Sequence, residues 1–285
     1  GQPKDVAPPA EFTEGWRIGK PDVVFKMPQE YTAQAQGKIN YQYFTTKTNF
    51  TEEMWVQAAE ARPGNRAAVH HIIVFARDPK NPRTPIWITS TAPGADPVIF
   101  PAGLGRKSPA VAELLWQVHY TATGKVERDC SEVGFIFCKT PPEHDVKNYG
   151  IKNGKFQIPP GAAAHKVESV IPVLKDAVIL SLYPHMHVRG KDFTYTVQYR
   201  DGRRERLLSI PQYDFNWQQT YRFQTPLKLP QGAAIFCTAH FDNSAANPAN
   251  PDPTQTVRWG DQTWEEMMIG YIDYYYVDEK PNAKP

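Results

Sequence analysis

Two imidazoles two residues apart follow the apolar run Ala177-Val178-Ile179-Leu180, in the stretch Leu182-Tyr183-Pro184-His185-Met186-His187-Val188-Arg189-Gly190. Residues at i and i+2 of a β-strand leave the same face, so His185 and His187 can aim at one ion. On a helix they would stand about 200° apart around the axis. A second pair, His70-His71, interrupts the apolar run from Ala67 to Phe75. Neighbours in a regular strand point to opposite faces, so a shared ion requires a bulge, a twist or a strand end there; the alternative is that only one of the two is a ligand. Imidazoles in an apolar run are costly to bury without partners, which favours a metal. His119 stands in Gln117-Val118-His119-Tyr120, with Gln117 on its own side of the strand. His70, His71 and His119 together form an all-imidazole donor set, which suits copper or zinc.

The His185/His187 pair needs a third donor, and two kinds compete. Met267, in Trp264-Glu265-Glu266-Met267-Met268, offers a soft thioether that favours Cu(I), although a methionine in such a run also serves as core filler. A hard alternative joins Asp192, five residues after His187, with His240 at the end of a strand. That set is similar to the mononuclear iron or manganese site of cupin barrels. Other chemistries find little support. Cys237 and His240 are three apart and diverge in a strand, Ser244 has no nucleophile elbow, and there is no Gly-rich phosphate or dinucleotide motif.

The elements that must position these groups read as strands. Short apolar or alternating runs cover 41–44, 54–61, 67–75, 112–120, 133–138, 166–170, 177–182, 193–199, 206–210, 219–227, 233–240 and 267–277, divided by Gly, Pro, Asn and Asp turns. Residues 78–110 read as a long loop with one strand at 85–88, and 141–156 as loop. No helix longer than three turns is expected, so the fold class is all-β, built of sandwiches or barrels. The chain of 285 residues is long enough for two cores. The expected division is an extended N-terminal arm over 1–27, a first domain over 28–160 and a second over 161–285. A net charge of +2 without a basic stripe argues against nucleic acid, and no apolar run approaches the length of a membrane span. Three cysteines allow at most one bridge, with Cys130–Cys138 plausible across a hairpin and Cys237 left over. Gly1 in place of Met is what a trimmed chain shows, which keeps open a secreted or periplasmic location and a further domain in the full-length protein.

Taken in order, these motifs resemble the catalytic core of the copper type II, ascorbate-dependent monooxygenases, over roughly residues 40–280. His70-His71 with its apolar run resembles the family's double-His motif, and Gln117-Val118-His119-Tyr120 its Gln-x-His-Tyr segment. His185-Met186-His187 followed by Gly190 resembles the His-x-His motif, and Glu266-Met267 with Tyr271 the Glu-Met…Tyr segment. The resemblance implies two jelly-roll-like antiparallel β-sandwich domains with one copper each, two per chain, facing a solvent-filled cleft. His70, His71 and His119 would hold an electron-storing copper; His185, His187 and Met267 would hold the copper that binds O2. Ascorbate or another one-electron donor would reduce both, and a small organic or peptide-like substrate would be hydroxylated at a C–H bond near Gln117, Tyr183 and Tyr271. Tyr183 stands where the peptide-processing members carry an arginine that grips a peptide carboxylate, and Ile269 replaces an asparagine; Arg189 is a candidate substitute anion contact. Two other functions remain in view: a cupin-like iron or manganese dioxygenase on His185, His187, Asp192 and His240, and a non-catalytic copper-binding or electron-relay protein.

Overall fold

The computed structural model describes residues 15–279 and 281. The chain is all-β, and no helix among the described residues is long and apolar enough to cross a membrane. Four larger sheets carry the structure. One orders Val23–Lys26, Glu132–Phe137, Met54–Arg62, Leu104–Ser108 and His144–Asp145; the last pairing, His144–Asp145 with Leu104–Ser108, is parallel. The next orders Gln42–Lys47, Glu113–Tyr120, Val69–Asp78 and Asn81–Thr91. A third orders Lys147–Lys152, Ile269–Tyr276, Ala177–His185 and Tyr221–Leu229, and a fourth His165–Pro172, Ala234–Phe241, Gly190–Gln198 and Arg204–Ile210. The last three are antiparallel throughout.

Period-two alternation decides which face of each sheet is dry. Ile72, Val74, Leu114, Trp116 and Val118 pack in one core with Val56, Ala59, Val133 and Phe135. Ile179, Leu182 and Ile272 pack in a second core with Phe193, Tyr195, Val197, Ile235 and Cys237. Each fully buried large side chain contributes about 1.5–3 kcal/mol, and the fourfold layering lets two separate cores form. The opposite faces of the two inner sheets carry His71, Ile73, Phe75 and Gln117 on one side and Tyr183, His185, Ile269 and Tyr271 on the other, and they line a common cleft.

Several expectations change here. Asn81–Thr91 is an eleven-residue strand despite Pro82 and Pro85. It is the edge of its sheet, where a residue without an N–H removes no ladder bond. Lys147–Lys152 is likewise an edge strand rather than loop. Ile151, Phe156 and Ile158 already belong to the second core, ahead of residue 160. Of the expected arm, residues 1–14 lie outside the described residues, while Val23–Lys26 is a strand paired with Glu132–Phe137, with Phe25 and Met27 in the first core. All three cysteines are free. Cys130 and Cys138 flank the single strand Glu132–Phe137 instead of facing each other across a hairpin. Eight extended residues span roughly 25 Å, whereas a disulfide needs Cα atoms within about 7 Å.

The halves are tied by Arg106, of which 1% is exposed. Its guanidinium donates to Trp87 O at 3.1 Å and Ile88 O at 3.3 Å in the first half, and to Val146 O at 3.2 Å and Asp273 Oδ1 at 2.5 Å toward the second. Asp273 also accepts from Asn148 Nδ2 at 2.9 Å and Ser181 Oγ at 3.0 Å. Removing one partner of a buried pair strands the other charge, at about 3–5 kcal/mol. Arg106→Ala is therefore expected to lower the unfolding free energy by about that amount. Equilibrium unfolding in urea measures it, and an unmoved midpoint would show that this tie contributes nothing.

Candidate metal centre

His70 and His71 open the strand Val69–Asp78, and the pairing register with Glu113–Tyr120 slips between Val69 and His71. That irregularity lets neighbouring side chains converge where a regular strand would separate them. His71 lies directly opposite His119 across the ladder. Ring centroids are 5.4 Å apart for His70–His71, 5.4 Å for His70–His119 and 5.1 Å for His71–His119. One donor atom from each ring lies within 4.8 Å of the others. Among the described residues this is the one group of three or more His, Cys, Asp or Glu side chains gathered so closely.

The chemistry of the group fits a cation. His70 Nδ1 and His71 Nδ1 face each other at 3.1 Å, a separation that requires either a proton on one nitrogen or a shared ion to relieve two opposed lone pairs. His70 Nε2 and His119 Nδ1 are buried without a hydrogen-bond partner. Burial first, then the neighbouring imidazoles, lowers His70 and His119 to about 4 and pulls His71 well below the ordinary range. All three are therefore neutral at pH 7, the form that binds a metal. Tyr41 stacks on His119 at 4.9 Å and lies 5.4 Å from His71, closing one side.

The second histidine pair is prepared differently. His185 ends the strand Ala177–His185 and His187 sits just past it, with rings 5.2 Å apart and nearly perpendicular. His185 Nδ1 lies 2.7 Å from Gln218 Oε1, and His187 Nδ1 lies 3.2 Å from the carbonyl of Glu265. Both acceptors call for a proton on Nδ1, so each ring presents an unprotonated Nε2. Gln218 is itself fixed by Nε2 donating to Phe215 O at 2.9 Å. Burial lowers His187 to about 3 and His185 below its usual value. The fully buried Glu266 accepts the backbone N–H groups of His187 at 2.8 Å and Arg189 at 2.7 Å, which clamps the His-bearing turn to the segment carrying Met267. Gly190 is required nearby: a Cβ there would come 2.7 Å from the Tyr213 ring and 2.9 Å from Met186.

Met267 and His185 line the same cleft, a cavity of about 210 Å³ that also takes in Gln117, Tyr183 and Tyr271. Tyr183 and Tyr271 stack at 5.9 Å, Trp87 meets Tyr271 edge-on at 4.5 Å, and Gln117 Nε2 donates to Tyr43 OH at 2.9 Å. One phenyl ring separates the two histidine sets. Phe215 stacks on His70 at 4.8 Å and meets His187 edge-on at 6.0 Å. Thr263 Oγ1 approaches His119 Nε2 at 3.5 Å from the second half.

The hard alternative is not assembled. Asp192 and His240 are cross-strand neighbours bonded to each other at 2.7 Å. They lie on the outer face of their sheet, because Phe193, Ala239 and Phe241 take the inner one. They form no group with His185 and His187 among the described residues. Arg189 is not a cleft contact either: it is 2% exposed and donates to Asn243 Oδ1 and Trp264 O, both at 2.9 Å. No motif or spacing singles out Tyr41, Trp87, Phe215, Gln218 or Thr263. Each is an isolated residue whose role comes from chain segments meeting in space.

With this geometry in place, comparison with known proteins is informative for the second half. Residues 148–284 match the family model of the copper type II ascorbate-dependent monooxygenase C-terminal domain. The match covers a little under half of the chain, and the three-histidine cluster that could hold a metal lies outside it, in the other half. No curated protein matches the sequence. Among solved structures, the major capsid protein P2 of bacteriophage PM2 is 9% identical at TM-score 0.37, covering 91% of this chain and 100% of that one. PNGF-II is 8% identical at TM-score 0.36, covering 92% and 66%. A CBM22 tandem domain from Paenibacillus barcinonensis Xyn10C is 8% identical at 0.24, covering 93% and 95%. Likenesses this weak carry no functional argument.

The lowered imidazoles set a pH response. As acid is added, the unfolded chain takes up protons near the ordinary value of 6.5 that the folded chain refuses until about 4 at His70 and His119 and about 3 at His187. Glu266, pushed up to about 8 by burial, acts oppositely between about 8 and 4.5, but it is one carboxyl against five imidazoles. Metal-free protein is expected to lose thermal stability steadily from about pH 6.5 toward pH 4. A melting temperature that holds or rises over that interval would contradict the neutral-histidine assignment.

Proposed function

We propose that the protein is a copper-dependent monooxygenase that uses O2 and a one-electron reductant such as ascorbate to hydroxylate a C–H bond of a small organic or peptide-like substrate. The observation that carries this reading is the pair of neutral histidine sets on either side of Phe215, one of them within a domain of the copper monooxygenase family and beside Met267. His70, His71 and His119 would hold one copper, and His185, His187 and Met267 a second, softer site. Bound there, copper supplies one-electron storage at the all-imidazole set and O2 activation at the thioether set.

The protein's own groups do the rest. Hydrogen bonds on Nδ1 of His185 and His187 orient both rings and keep Nε2 available. Tyr183, Tyr271 and Trp87 present flat apolar walls that hold a carbon skeleton and displace water. The Gln117 amide donates to Tyr43, which leaves its carbonyl oxygen to accept a hydrogen bond from substrate. No lining residue of the cleft is Lys or Arg, which disfavours a substrate gripped by its carboxylate. The reading extends to two jelly-roll-like sandwiches, entered near residue 147 in the second half, and to a secreted or periplasmic location.

Met267→Ile tests it, because isoleucine keeps the volume and removes the sulfur. The variant is expected to melt within a few degrees of the parent, to fall from two bound Cu(I) per chain to one, and to lose ascorbate- and O2-dependent hydroxylation by about a hundredfold or more. Undiminished turnover in that variant would refute the proposed ligand set.

A further inference from the structure

A larger cavity, about 580 Å³, lies against the other side of the first histidine cluster. His71 lines the substrate cleft, whereas His70 lines this second cavity, and the segment Ser90–Ala92 borders both. The two adjacent imidazoles meet in one cluster and yet border two different openings.

The second cavity has the opposite electrostatic character to the cleft. Of its acids, Asp96 is paired with Arg17 and, at 3.6 Å, with Arg222. Glu60 is turned to the backbone N–H groups of Arg17 at 2.6 Å and Ile18 at 3.3 Å and keeps its charge, so that Arg17, Arg62 and Arg66 still outnumber the acids of the lining. Two guanidiniums remain over. Arg62 lies 4.9 Å over the Trp16 ring, which leaves its N–H edges free, and Arg66 makes no hydrogen bond or ion pair among the described residues. A planar, oxygen-rich anion is the natural complement of such groups. The cleft, by contrast, is lined by Asp261 and no cationic side chain, so it would repel the same ligand.

We propose that this cavity is the docking site of an anionic enediol reductant, held by Arg62 and Arg66 against His70. This inference rests on the copper reading above and adds where the reductant enters. With copper held by His70, His71 and His119, that metal would be the one-electron acceptor, and the docked enediolate monoanion would stand beside His70 to give one electron up. The donor releases its remaining enol proton to solvent and leaves as a radical monoanion. A second donor supplies the second electron in the same way. Reductant and substrate then approach through separate openings and do not compete.

Ascorbate is the probe, in two measurements on the full chain. Anaerobic equilibrium dialysis of metal-free protein against labelled ascorbate reads binding without any turnover. Arg66→Glu is expected to weaken it about tenfold or more, and Arg66→Lys to stay near the parent, since reversing one exposed charge beside a small anion acts mainly through the local potential. Stopped-flow reduction of copper-loaded protein, followed by loss of the Cu(II) resonance signal, should slow about tenfold in Arg66→Glu with ascorbate and remain unchanged with neutral hydroquinone. Equal affinity in all three proteins, or equal slowing with both donors, overturns the inference. A chain that takes up no copper overturns the functional reading, while the dialysis still decides who occupies the cavity.

Discussion

Arg106 sits out of water with oxygens from Trp87, Ile88, Val146 and Asp273 around its guanidinium, and the cleft depends on that arrangement. The two cores are separate, and each would be satisfied by its own pair of sheets. What brings the outer faces of the inner sheets together, with His71 and Gln117 opposite His185 and Tyr271, is a small number of directional contacts between halves. A buried ion pair adds little net stability compared with an apolar equivalent, but it allows one mutual arrangement and penalises the others. Asp273 lies in the same strand as Tyr271, so the tie acts two residues from the cleft wall.

The two histidine sets are readied in different ways. At His185 and His187 the Nδ1 positions are spent on Gln218 and the Glu265 carbonyl, which fixes tautomer and ring plane. At His70, His71 and His119 the nitrogens face one another, and two of them have no partner. A buried unsatisfied polar atom costs about 1–3 kcal/mol, so the first cluster carries unfavourable energy that an ion would relieve. Phe215 lies between the two sets, its ring in contact with a histidine of each.

The slip in register at Val69–His71 links local backbone to the wider layout. It lets His70 and His71 belong to one cluster while bordering different cavities, one aromatic and lacking positive charge, the other rich in guanidinium. A single irregular residue pairing thus sets both the geometry of the cluster and its two routes of approach.

Much is legible in the order of residues alone. Alternating apolar runs announce most strands, and His70, His71, His119, His185 and His187 announce themselves as candidate metal donors, because strand periodicity and ligand preference are local properties. The need for an irregular strand at the His70-His71 pair can also be read directly. The strand Asn81–Thr91 cannot, since its prolines are tolerable only because it lies at a sheet edge, and edge position is a property of the whole sheet. Likewise, Asp192 and His240 have ligand chemistry but lie on an outer face, and Gln218, Phe215 and Tyr41 carry no local signal at all. Sequence determined which groups were available for chemistry; tertiary packing alone decided which of them met, because convergence depends on contacts between residues far apart along the chain.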